Sequence, residues 1–157
     1  MSRPPIYERE RRRLAADLFN LVWKLLEKPD RTPEDDETMI HAAHASRFYW
    51  GESGAPRNWA RGDWQISRVY ATLGRAEPAL HHAERCLDRC LAHAEDMEQF
   101  DLPYAYEALA RAHTISGDRA QAEHYLALAR QTGAKIEDAD DRELLVTDLD
   151  ALTLTLP

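Results

Sequence analysis

Two stretches of this chain are copies of one another. When VYATLGRAEPALHHAERCL (69–87) is set beside AHTISGDRAQAEHYLALAR (112–130) with Gly74 on Gly117, Ala79 falls on Ala122, Ala83 on Leu126 and Cys86 on Ala129. A repeated unit of this size cannot cover its own apolar face, so its copies must stack against each other. Each copy holds a turn glycine and small residues at helical spacing, which describes a helical hairpin packed closely on its neighbour. The rest of the chain agrees: Ala, Leu, Arg and Glu favour helix, and 157 residues carry only 6 glycines. The expected fold is all-α, a single domain over residues 1–157.

Punctuation divides the chain into seven helices. Leu14, Leu18, Leu21, Val22 and Leu25 recur with helical period in the first, about 7–27, which stops at KPDRTPEDDE. The acidic end of that segment suits the N-terminus of a second helix, about 35–50. WGESGAP breaks the chain before a third helix, about 56–73, ended by Gly74. A fourth runs from about Pro78 to Met97, and DLP at 101–103 opens a fifth that Gly117 closes. The sixth covers about 119–131 and the seventh about 138–152.

The repeat resembles the tetratricopeptide family, whose unit is about 34 residues long. Tyr70 matches the tyrosine that precedes that family's turn, and His113 replaces it in the second copy. The likeness covers residues 61–131, with helical caps at 5–50 and 137–153. HAAHASRFYWGE together with ARGDWQISRVYATLGRAEPAL also resembles a group of small bacterial proteins with this repeat-like fold, which implies no activity. The family resemblance implies a right-handed stack of antiparallel hairpins whose first helices line a concave groove. It places Arg61, Trp64 and Arg68, then Tyr104, Glu107 and Arg111, in that groove. Each trio also falls on one helical stripe, at i, i+3, i+7. Arginine and glutamate are costly to bury without partners, and an Arg beside a Trp offers a forked donor next to a stacking surface. The expected occupant is a peptide or a small anionic ligand. The competing reading is a closed internal network in which Arg68 or Arg111 pairs with Glu107 under Trp64.

HAAHASRFYW, 41–50, places Glu37, His41, His44 and Phe48 on one face of the second helix with Arg47 beside it. If that helix packs on the third, His41, His44 and Arg47 approach Trp64 and Arg68 as hydrogen-bonding members of the pocket. Buried structural histidines, or a metal on Glu37, His41 and His44, are the other readings. The metal would need a ligand from another element, so no metal or other cofactor is expected. No nucleophile elbow, phosphate loop or zinc-protease motif occurs. An enzyme using His41 or His44 as base and Arg68 as anion clamp is the alternative to a binding module.

The formal charge of -8 argues against nucleic acid as a partner, and the basic run ERERRR reads as a solvated helix face laced with ion pairs. MSRPPIYERE has no apolar leader core, and no window approaches a membrane span. Cys86 and Cys90, four residues apart on one helix, suit a tight helix interface in a reduced compartment and not a disulfide. A cytoplasmic protein is expected. The first helix has an apolar arc of roughly 200 degrees, wider than one neighbour covers, because Phe19, Trp23 and Leu26 extend its leucine stripe. The closing segment LLVTDLDALTLTLP is similarly rich in leucine, so a homodimer through either end is expected.

Overall fold

The computed structural model describes residues 5–157, with side chains described from Tyr7 onward. Residues 1–4, part of the stretch read above for a leader, lie outside them. Seven α-helices follow in order: α1 Pro5–Glu27, α2 Pro33–Ser53, α3 Pro56–Thr72, α4 Ala76–Ala92, α5 Asp101–Ser116, α6 Arg119–Gly133 and α7 Ala139–Thr153. Among the described residues there is no strand, and no helix is long and apolar enough to cross a membrane.

The helix ends have local causes. Thr32 accepts the Asp35 N–H at 3.1 Å while the Asp35 carboxylate takes the Thr32 N–H at 3.0 Å, and Pro33 fills the first helical position of α2. Asp118 and Asp138 cap α6 and α7 with the one-sided form, each carboxylate accepting the N–H three residues on, of Gln121 and Asp141. The two repeated turns match to the hydrogen bond. Gly74 and Gly117 have φ of 72° and 83°, and each lets the following N–H reach back, Arg75 to Tyr70 O at 2.9 Å and Asp118 to His113 O at 3.0 Å. This wide reverse turn needs a left-handed residue, which glycine adopts at no steric cost.

One boundary differs from the sequence pattern. The fourth helix ends at Ala92, and a 3-10 turn follows at Ala94–Asp96. Asp96 there accepts the Arg57 N–H at 2.9 Å and the Arg57 guanidinium at 3.1 Å. Ala55, which precedes α3, has no side chain able to cap it, so a carboxylate from the turn after α4 supplies the acceptor.

The helices pack as hairpins, α1 with α2, α3 with α4 and α5 with α6, while α7 closes on α6 and α5. Small buried residues let the middle hairpins approach: Ala79, Ala83, Cys86 and Cys90 on α4, and Ala105, Ala108 and Ala112 on α5. The two cysteines are free and buried. Larger side chains fill the ends, Val22, Met39, Ile66 and Val69 at one and Leu126, Ile136, Leu145 and Leu149 at the other. The basic run on α1 is an anchor as well as a solvated face: Arg11 pairs with Glu52 at 2.9 Å and Arg12 donates to Ser53 O at 3.2 Å, tying α1 to the end of α2.

The wide apolar arc of α1 has an explanation inside the chain. Leu18 and Leu26 pack on the Val22 cluster, while Phe19 and Trp23 face a cavity. Leu14 and Leu21 stay exposed.

Candidate binding groove

A half-open cavity of about 550 Å³ lies where α1, α3, α5 and α7 converge. That volume is typical of a ligand site. Trp64 is at its centre. Its ring packs on Trp23 of α1 at 5.6 Å and edge-on to Tyr104 of α5 at 5.9 Å, so aromatic faces from three helices meet. Phe19 and Phe100 extend the aromatic wall, Leu144 adds an exposed apolar edge from α7, and Cys86 and Cys90 line the cavity from α4. A hydrogen bond with Cys90, then burial, raises the Cys86 thiol well above its ordinary range, so it stays protonated.

The predicted stripe of α3 faces this cavity as a unit, with Arg61, Trp64 and Arg68 all lining it together with Tyr104. Glu107 lies underneath, only 1% exposed. It accepts the Trp64 indole N–H at 3.2 Å and is bound by Arg111 through Nε at 2.8 Å and through Nη2. The internal network is therefore present, with Arg111 as the partner of Glu107. Trp64 is both wall and strut.

The three arginines differ in how far they are committed. Arg61 holds Asp101 with two hydrogen bonds, reaches Glu98 at 3.3 Å and covers the Phe100 ring at 5.0 Å. The Asp101 hydrogen bond is the main reason its guanidinium is held even more firmly in the charged form. Arg111 is spent on Glu107. Arg68 stands 3.9 Å from Glu107 Oε1, a loose contact, and lines the cavity half-buried. Burial, reinforced by repulsion from Arg111, pulls its guanidinium below the ordinary range. Tyr104 donates to Asp148 of α7 at 2.8 Å, and its phenol is pushed upward by burial first and by that carboxylate second.

The chain has no match among family models, curated proteins or solved structures.

His41, His44 and Arg47 do not join this cavity. Asp63 and Tyr70 lie on a different side of α3 from Arg61, Trp64 and Arg68, and α2 meets that side. His41 is 78% exposed and reaches Glu37 at 3.7 Å, one turn away on the same surface. His44 turns elsewhere. Its Nε2 is 2.8 Å from the Tyr70 hydroxyl, and its ring meets His82 edge-on at 5.4 Å. Glu37, His41 and His44 therefore form no common ligand set, and no cluster of three metal-ligating residues occurs among the described residues. The base and the anion clamp of the enzyme alternative stand on different sides of α3.

Arg47 belongs to a second cluster that the sequence reading did not assemble. Asp63, 4% exposed, accepts Arg47 Nε at 3.3 Å, Arg89 Nε at 2.9 Å and shares a 3.3 Å contact with His82 Nδ1. One buried carboxylate thus joins α2, α3 and α4. Gly62 makes room for it, since a Cβ there would come within 2.7 Å of Arg47 Cδ. A signal was present: an acid among the small buried residues of α3 needs cations, and His82 and Arg89 share one stripe of α4 at i, i+7.

Proposed function

We propose that this chain is a binding module of the tetratricopeptide-like kind, and that its groove between α1, α3, α5 and α7 holds a peptide segment. The observation that carries the reading is the aromatic cavity itself. Phe19, Trp23, Trp64 and Tyr104 present apolar surface on three helices around about 550 Å³ of space, with Arg68 loosely paired beside them. Aromatic anchors supply much of the energy in peptide recognition, and the polar groups around them orient the chain. The site's commitments favour a peptide over a small anion. Arg61 and Arg111 are already engaged by Asp101 and Glu107, which leaves Arg68, among the described residues of the groove, for a carboxylate.

Leu144 provides the test. It lines the groove, is 57% exposed and belongs to no core cluster. A peptide array probed with the native chain and with Leu144→Glu should show bound peptides for the first and their loss for the second, at equal melting temperatures. Retention of the same peptides by the variant would place the binding surface elsewhere.

A further inference from the structure

The groove carries more negative charge than its arginines balance. Arg61 answers Asp101 and Arg111 answers Glu107, each by direct hydrogen bonds. This leaves Glu27 from α1 with Asp141 and Asp148 from α7, all lining the cavity, and none forms an ion pair among the described residues. Asp148 accepts only the neutral Tyr104 hydroxyl. Among the described residues that line the cavity, Arg68 is the guanidinium left to face these three carboxylates; it stands loosely at Glu107 and also feels the charge of Asp148. Trp23, Trp64 and Tyr104, packed on one another, line the same cavity as these carboxylates.

Aromatic faces attract cations through the ring quadrupole, and unpaired carboxylates around a low-dielectric cavity reinforce that attraction. From this charge complementarity we infer that the occupant of the groove is a basic peptide, whose lysine or arginine side chain lies over Trp23 and Trp64 and points its charged head at Asp141 and Asp148. The inference rests on the peptide-binding reading and names the charge of the peptide. The apolar stem of such a side chain covers the indoles while its head stays near the open edge, where it keeps part of its water. Arg68 then takes a backbone carbonyl or the peptide's own carboxylate. The chain's net charge of -8 draws the same partner from a distance.

The experiment is a tryptophan fluorescence titration of the whole chain with two blocked pentapeptides that have leucine at alternate positions and either lysine or glutamate between them, with benzyltrimethylammonium as a third probe. The lysine peptide should bind, with affinity falling as salt rises. Asp148→Asn, which keeps an acceptor for Tyr104, and Asp141→Asn should each weaken it by roughly fivefold, the effect of removing one nearby charge at a partly exposed site. Unchanged circular dichroism melts will show that both variants are folded. Binding of the glutamate peptide alone would overturn the assigned charge and leave the groove as a peptide site. Binding of benzyltrimethylammonium without either peptide would overturn the peptide and leave a small-cation site. Response to none of the three would overturn this inference together with the reading beneath it.

Discussion

Arg61 and Asp101 face each other across α3 and α5 in a two-pronged pair, Nε to Oδ1 at 2.8 Å and Nη2 to Oδ2 at 2.9 Å. Asp101 Oδ2 also accepts the Glu98 N–H at 2.8 Å, so the carboxylate that receives the arginine organises the turn entering α5. A residue on the groove stripe is therefore also a clamp between two hairpins. Arg61→Ala leaves a buried carboxylate with its turn contact alone. It should lower unfolding free energy by about 2 kcal/mol, below the full cost of breaking a buried pair because the guanidinium is partly solvated. Urea denaturation measures this. An unchanged midpoint would mean that the pair contributes nothing net.

The acid limb of stability should belong to Asp63. Burial alone would raise its carboxyl, but hydrogen bonds from His82 and Arg89, with the charge of Arg47, outweigh burial and hold it below the usual carboxylate range. A group depressed in the folded state stabilises above its unfolded value, about 3.9, and that contribution is lost as pH falls through the folded value. The melting temperature should therefore drop steeply below about pH 4. Asp63→Asn should melt lower at neutral pH and have a shallower acid limb. An acid limb as steep as that of the native chain would assign the effect to other carboxylates.

His44 adds a weaker dependence nearer neutrality. Burial, then repulsion from His82, lowers its imidazole below the ordinary value. Between that lowered value and about 6.5 the unfolded chain binds more protons than the folded one, so stability rises with pH through the window and is complete above it. His44→Gln should flatten the melting temperature between about pH 5 and 7. The native slope persisting in the variant would refute this.

Gly133 ends α6 against α7, and a Cβ there would overlap Leu145 Cδ2 in the core. Alanine is favoured over glycine in a helix by about 1 kcal/mol, whereas forcing atoms into a packed core costs about 1–3 kcal/mol. Leu145 is fully buried and has little room to yield. Gly133→Ala should be destabilising by thermal melt. A stabilised variant would show that Leu145 moves aside freely.

The homodimer expected from α1 rests on a smaller patch in the folded chain, because Phe19 and Trp23 face the groove. We propose that self-association uses the exposed Leu14 and Leu21, with Leu154 of the tail. Light scattering at micromolar concentration should give twice the chain mass, returning to one chain mass in Leu14→Glu/Leu21→Glu. A monomeric native chain would exclude it.

What was legible from the residues alone was local. The turn glycines 74 and 117, the acidic start of α2 and the apolar periods depend on neighbours a few residues away, so the residues alone marked out the seven helices, whose caps at Thr32, Asp118 and Asp138 the structure then supplied. The stripe of Arg61, Trp64 and Arg68 was legible for the same reason, since helical geometry keeps residues seven apart on one side. Which side of α3 each neighbour meets was decided only by packing. A helix wheel shows that His44 and Arg47 share a direction with no reference to any other helix, and the tertiary fold turned them to Tyr70, His82 and Asp63. Packing likewise converted the surplus apolar arc of α1 into the Trp23 wall of the groove and brought Asp141 and Asp148 of α7 to its rim. The physical division is one of range: backbone hydrogen bonds and caps are made within a few residues, whereas the partners of a buried charge or an aromatic face come from segments dozens of residues away.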